Sequence, residues 1–191
     1  MNLKQTALIV FCGMDGTGKS TLAMSLKKHL HQNKIKSSYT HGHTYTTAQK
    51  SFRSDEHTVE KYRLFWRLLI PFAYLDNLLT YALQYRSAQR KNVIISDRYF
   101  YDKVVRLLYY KICPQWIACI YLKLLPRPDY VFFLDVSPAV AIKRKGEYNR
   151  AEHERFRKQY QFAAKVLNVP IIDTSQSIDS CLSEIITHIK K

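Results

Sequence analysis

Three features of this 191-residue sequence predict an α/β fold, a parallel sheet of about five strands wrapped by helices. The first is the run Gly13-Met14-Asp15-Gly16-Thr17-Gly18-Lys19-Ser20, which fits the phosphate-binding pattern G-x-x-x-x-G-K-[ST]. The second is its setting. Residues 7–12 (ALIVFC) form the unbroken apolar run that a strand buried on both faces requires, and Leu22, Leu26 and Leu30 then share one helical face. The third is the return of short apolar runs, separated by stretches of helical spacing, along the rest of the chain. Strand, glycine loop and helix in that order mark the three-layer fold of the P-loop NTPases.

The elements follow in sequence. A strand over residues 7–12 enters the loop, and a helix from Thr21 onward leaves it. Residues 37–40 (SSYT), after a basic polar turn, give a short second strand. Residues 92–96 (NVIIS), bounded by the charged stretch 86–91 and by Asp97, give a third. Residues 130–136 (YVFFLDV) give a fourth, entered from the rigid turn Pro126-Arg127-Pro128, and residues 169–173 (VPIID) give a fifth. The last helix carries Ile178, Leu182, Ile185, Ile186 and Ile189 as one stripe. No internal repeat or low-complexity linker divides the chain, so one domain over residues 1–191 is expected.

Composition narrows the functional classes. At 47% hydrophobic, the chain can bury a core of its own. No segment reaches the roughly 20 uninterrupted apolar residues of a membrane span. The nearest, residues 68–83, is broken by Pro71, Asp76 and Asn77. The apolar start is short, belongs to the loop strand and has no small-residue cleavage site behind it, so a cytoplasmic location is expected. Cys12, Cys113, Cys119 and Cys181 lack C-x-x-C spacing and read as small apolar residues in a reducing compartment. Thirty Lys and Arg against fifteen Asp and Glu give a net charge of +15. Such a surface attracts nucleic acid, anionic membranes and small phosphorylated substrates alike. Zinc-finger spacing, RNP aromatics and zipper heptads are all missing, which argues against a sequence-reading nucleic-acid module.

Parallel sheets bind ligands at the carboxyl ends of their strands, so the residues just beyond each apolar run form the candidate site. Backbone N–H groups of the loop and the helix start would cradle the phosphates of a nucleoside triphosphate, with Gly13, Asp15, Gly16, Thr17, Gly18, Lys19, Ser20 and Thr21 around them. Lys19 would reach the β- and γ-phosphates, and the Ser20 hydroxyl would ligate Mg²⁺. Asp97-Arg98-Tyr99 follow the third run, Asp135 lies near the end of the fourth, and Asp173-Thr174-Ser175 end the fifth. Asp97 can hold a hydrated Mg²⁺ or accept the proton of an attacking group. Arg98 can grip a phosphate through two parallel hydrogen bonds.

In these residues the chain resembles the thymidylate kinases, P-loop kinases of nucleoside monophosphates. The matching segments are FCGMDGTGKST, VIISDRY, PRPDYVFFLDV, AIKRKGE and VPIIDTSQSIDSCLSEI, in that order over nearly the whole chain. The resemblance implies ATP and Mg²⁺ as cofactors and dTMP as the acceptor. It implies that Asp15 addresses the acceptor's sugar, that Asp97 takes the metal and catalytic role, and that Arg98 takes the acceptor phosphate. The aromatic stretch from Phe65 to Tyr85, with Tyr99, Phe100 and Tyr101, reads as the lining of an aromatic acceptor pocket, or equally as a core helix or a partner surface. Phe72 falls where the family places a base-stacking phenylalanine. Met14, Asp15, Gly16 and Thr17 add no cation to Lys19, so charge over the transition state must come from elsewhere. The resemblance implies a LID-like segment at 143–152 for this purpose, with Arg144 as the contributor and Arg150 as the second choice.

Two positions depart from the family. The segment Tyr39-Thr40-His41-Gly42-His43-Thr44 lacks the arginine that clamps the acceptor phosphate, and Asp76 or Asn77 stands where a base-reading arginine would fall. His41 and His43 are candidate replacements, as are Arg53, Arg63 and Arg67. The alternatives to dTMP are therefore another nucleotide or a phosphorylated sugar or lipid, and, outside catalysis, a nucleotide-binding regulatory protein. A small-molecule nucleotide is the expected partner. A homodimer is open, and the basic surface leaves nucleic acid or an anionic membrane as further contacts.

Overall fold

A computed structural model describes residues 6–42, 63–86, 92–146 and 148–190. Its five strands, β1 (Leu8–Gly13), β2 (Ser37–His41), β3 (Val93–Asp97), β4 (Tyr130–Asp135) and β5 (Ile171–Asp173), form one sheet in the order β2-β3-β1-β4-β5. Every pairing is parallel. Central β1 pairs with β3 from Leu8 opposite Ile94 to Phe11 opposite Asp97, and with β4 from Ile9 opposite Tyr130 to Gly13 opposite Leu134. That position explains the unbroken apolar run. Leu8, Val10 and Cys12 enter one core layer, while Ala7, Ile9 and Phe11 enter the other.

Eight helices are described: α1 (Lys19–Gln32), α2 (Arg63–Leu68), α3 (Ile70–Thr80), α4 (Phe100–Tyr109), α5 (Gln115–Leu124), α6 (Pro138–Lys145), α7 (Arg150–Leu167) and α8 (Ile178–Lys190). A π turn, Tyr81–Arg86, extends α3. On one face of the sheet, Leu22, Leu26 and Leu30 of α1 and Cys181, Ile185 and Ile189 of α8 cover Ile9, Phe11, Ile95 and Phe132. On the other, α4, α5 and α7 cover Val10, Ile94, Val131 and Phe133. The outer helix α3 packs on α5 through the rings of Tyr74 and Tyr121, whose centroids are 5.4 Å apart.

The strands follow their predicted places with shifted ends. β1 and β3 each run one residue further, which brings Gly13 and Asp97 into the ladder itself. β4 stops at Asp135, one residue short. β5 begins two residues later than predicted because Pro170 has no N–H to give and Val169 is used elsewhere. The Val169 N–H closes the end of α7 on the Ala164 carbonyl at 3.1 Å, after Asn168 turns left-handed at φ 51°. α1 starts at Lys19 rather than Thr21. His43 and Arg53 lie outside the described residues, as does the side chain of Arg63.

Candidate active site

The phosphate loop packs on α6 as well as on its own helix. A Cβ at Gly16 would lie 2.7 Å from the Ala141 carbonyl oxygen, and φ is 86° there, so both space and backbone demand glycine. Gly18 is the N-cap of α1; no side chain caps it and the first turn holds no acid. That helix start is open to an anion. Inside the loop, the Met14 carbonyl accepts from Lys19 Nζ at 2.7 Å and from Thr17 Oγ1 at 2.8 Å. Thr17 is buried and closes the loop, whereas Thr21 is exposed on the first turn of α1. Burial and the charge of Arg98 push the Lys19 ammonium below the ordinary lysine range, against the pull of Asp15 at 3.8 Å. A phosphate oxygen is a stronger acceptor for that ammonium than a peptide carbonyl.

Asp97, 1% exposed at the end of β3, faces the loop. Its Oδ2 accepts from Ser20 Oγ at 2.5 Å and from the Tyr39 hydroxyl at 3.3 Å, and His41 Nδ1 lies 3.6 Å away. Its Oδ1 is buried and has no hydrogen-bond partner among the described residues. A hydroxyl and a carboxylate with one idle oxygen are the hard ligands that suit Mg²⁺, which takes one or two protein oxygens and completes its shell with phosphate and water. No group of three acidic, His or Cys side chains suited to a metal occurs among the described residues.

Arg98 meets the loop directly: its guanidinium is hydrogen-bonded to Asp15 Oδ1. Lys145 Nζ reaches the same oxygen at 3.6 Å, so three cations surround Asp15. Burial works against the Asp15 carboxylate, yet Arg98, Lys19 and Lys145 hold it below the usual carboxylate range. Burial likewise works against the Arg98 charge, and Asp102, Tyr160, Asp15 and Asp97 overcome it. The Arg98 backbone is left-handed at φ 82° and is fixed on three sides. Its N–H donates to the Phe11 carbonyl at 2.8 Å, its carbonyl accepts from Ser96 Oγ at 2.8 Å, and Gly42 lies so close that a Cβ there would sit 2.1 Å from that carbonyl.

The LID-like segment divides. The Arg144 guanidinium donates to the Thr174 carbonyl at 2.9 Å and to the Gly16 carbonyl at 3.5 Å, which ties α6 to the phosphate loop and to the chain after β5. Arg150 instead pairs with Glu154 at 3.3 Å and is 81% exposed at the start of α7. Asp135 is taken by Arg157, which donates to both of its oxygens at 2.8–2.9 Å.

Two residues expected on the substrate side lie elsewhere. Tyr99 is fully buried among Tyr85, Phe100 and Tyr101, and its hydroxyl donates to the Pro126 carbonyl at 2.7 Å. Phe72 is 68% exposed on the outer face of α3. The inner face of α3 carries Tyr74, Asn77 and Thr80 instead, one step out of phase with Phe72. Arg67 is engaged with the Ile112 carbonyl at 2.8 Å.

Two further residues escaped the sequence reading. Asp102, 1% exposed, accepts from the Gly13 N–H at 3.3 Å, the Tyr99 N–H at 2.8 Å and the Tyr160 hydroxyl at 2.9 Å. It thereby joins the phosphate loop, the chain after Arg98 and α7 at one carboxylate. Its signal was an acid at the N3 position of a helix, three residues after Tyr99. Lys103 donates to Asn77 Oδ1 at 2.7 Å and lies 5.1 Å from the centroid of the Phe100 ring. A cation from α4 thus stands beside Asn77 of α3. Burial pushes the Lys103 ammonium down to about 8.

A parallel sheet whose central strand feeds this loop, with acid and arginine waiting at the end of the next strand, defines a P-loop phosphotransferase. The sequence model of the thymidylate kinase family matches residues 11–185, and the chain belongs to that family of nucleoside monophosphate kinases. It is similar to the probable thymidylate kinase 1 of Saccharolobus solfataricus, at 27% identity over 96% of this chain and 97% of that one. The probable thymidylate kinase of Methanosphaera stadtmanae is 30% identical, again over 96% of this chain and 97% of its own length. Among solved structures, the thymidylate kinase of Ehrlichia chaffeensis superposes with a TM-score of 0.64 at 18% identity, covering 96% of this chain and 98% of that one. The deoxyadenosine kinase of M. mycoides with bound dATP gives 0.59 at 18% identity, covering 97% and 100%. The kinase family implies ATP as co-substrate.

Proposed function

We propose that the protein transfers the γ-phosphoryl group of ATP to dTMP in the cytoplasm. The observation that carries this reading is the Asp15–Arg98 pair, in which a residue of the triphosphate loop and the cation at the end of β3 meet at one oxygen. An acceptor phosphate entering here takes Arg98 from Asp15 through two parallel hydrogen bonds, and frees Asp15 to accept from a sugar hydroxyl. Lys19 leaves the Met14 carbonyl for the β- and γ-phosphates. Arg144, held over the loop from α6, faces the charge that develops on the transferring group. Ser20 and Asp97 would hold Mg²⁺, which neutralises phosphate charge when bound. Phosphoryl transfer asks little covalent chemistry of the protein, so holding donor and acceptor in line is the main work of these residues. The relatives named as thymidylate kinases support dTMP.

A second reading keeps the donor side and changes the acceptor. It is favoured by Asn77 and Lys103 in place of an arginine, and by the outward position of Phe72. One experiment separates the two: ADP release from Mg·ATP is followed with a panel of nucleoside monophosphates. Fastest turnover with dTMP is expected, whereas acceleration by none of them removes nucleotide kinase activity and leaves a different acceptor.

A further inference from the structure

The buried carboxylate at the end of β3 gathers its hydroxyl donors on one oxygen. Asp97 Oδ2 accepts from Ser20 Oγ at 2.5 Å and from the Tyr39 hydroxyl at 3.3 Å, whereas Oδ1 has no hydrogen-bond partner among the described residues. The terminal torsion of an aspartate is broad and roughly two-fold, so nothing in Asp97 itself decides which oxygen is held and which is offered. Its neighbours decide it.

The two hydroxyls come from different elements. Ser20 belongs to the first turn of α1 and Tyr39 to the edge strand β2. Pairing fixes β2 against β3 here, with Tyr39 opposite Ile95 and His41 opposite Asp97, and the Gly42 N–H donates to the Asp97 carbonyl at 2.8 Å. Tyr39, two residues before His41, therefore shares a sheet face with Asp97. Its ring packs on the core layer under α1, and only the hydroxyl of that side chain is polar. Burial and the Asp97 charge hold this hydroxyl above the ordinary tyrosine range, so it remains a donor at neutral pH. The contact is long for a hydroxyl, as is common in ligand-free sites, where such bonds tighten when the ligand arrives. His41 Nδ1 lies further off, at 3.6 Å on an exposed ring. Ser20 is itself a ligand in the proposed Mg²⁺ site, so Tyr39 is the hydroxyl that holds Oδ2 without ligating.

We propose that Tyr39 is a positioning residue, which holds Asp97 by Oδ2 and leaves Oδ1 as the oxygen offered to the metal. The inference rests on the Mg²⁺ role of Asp97 and is independent of which acceptor the site takes. Partners that orient a metal ligand are worth roughly 10- to 100-fold in metal affinity. The test uses Mn²⁺ in place of Mg²⁺ and follows its binding to the complex of the full chain with ADP by electron paramagnetic resonance. Tyr39→Phe keeps the ring and removes the hydroxyl, and should raise the Mn²⁺ dissociation constant about tenfold. The Mg²⁺ concentration for half-maximal turnover should rise with it, while ADP affinity in EDTA should move by less than about twofold. Asp97→Asn should weaken Mn²⁺ binding at least as much. If Asp97→Asn binds Mn²⁺ as the wild type does, the metal site itself is refuted and this inference falls with it. If Asp97→Asn loses affinity and Tyr39→Phe does not, the metal site stands and the positioning role is overturned. A matching loss of ADP affinity in EDTA also overturns it, because a general distortion of the loop would then explain both. Tyr39→Leu, which lacks the hydroxyl as well, takes the place of Tyr39→Phe if circular dichroism shows the latter unfolded.

Discussion

In the proposed function, the donor and acceptor sides of the site are built in different ways. The donor side is one continuous piece of chain, in which β1 delivers the loop, the loop delivers the helix start, and Lys19 and Ser20 belong to the same turn. In the same reading, the acceptor side is gathered from Asp15 of the loop, Arg98 after β3, and Lys103 of α4 beside Asn77 of α3. A contiguous cradle keeps its geometry when other parts of the chain change. An assembled pocket changes with any of its elements, so the acceptor is where relatives of one fold can diverge.

Four variants test that contrast. Lys19→Ala should lower kcat by about 100- to 1,000-fold with every acceptor, because it removes a donor-side charge from the transition state. Steady-state rates across the acceptor panel check this, and near-normal turnover would refute the role. Arg98→Ala should cost about 100-fold in kcat/KM for the acceptor while KM for ATP moves little. An equal rise in both KM values would show that the two sides are not separable.

Asp102→Asn should lower kcat about tenfold and stability by about 2–3 kcal/mol, since an amide presents N–H groups to donors that need an acceptor. Rates measured well below the melting temperature, together with urea unfolding, distinguish a misplaced loop from a merely less stable protein. Lys103→Met carries the smallest effect and it depends on pH. The folded pKa, about 8, is below the ordinary 10.5, so between these values the unfolded chain binds more protons. The penalty for the buried charge is therefore full below pH 8, and wild-type stability relative to the variant should rise by on the order of 2 kcal/mol as pH climbs to 10.5. A flat difference across that range would show that the ammonium is not desolvated.

What the sequence revealed follows the same division. β1 was legible because a central parallel strand must be apolar on both faces, and the loop because its spacing is local. Arg144 was legible as a cation beyond β4, although its grip on Thr174 and Gly16 was not. The phase of α3 was hidden for a physical reason. Residues 68–83 are apolar nearly all round, so periodicity could not say whether Phe72 or its neighbours face inward, and packing on α5 decided it. Asp102 reads locally as a helix N3 residue, but its bonds to Gly13 and Tyr160 span 89 and 58 positions of sequence. Tyr99 follows Asp97 and Arg98 in the chain and reads as part of the same cluster, whereas the left-handed turn at Arg98 delivers it to the core as the N-cap of α4.

Cys12 sits at the root of the phosphate loop with no solvent exposure, and burial together with the nearby Asp102 charge pushes its thiol well above the ordinary range. A thiol so placed is both unreachable and un-ionised while β1 stays paired with β3 and β4. Its alkylation in native buffer therefore times the opening of the central strand, a sub-global event that ligand binding at the loop should slow. The residue that anchors the cradle is in this way also a built-in chronometer for how often the sheet comes apart.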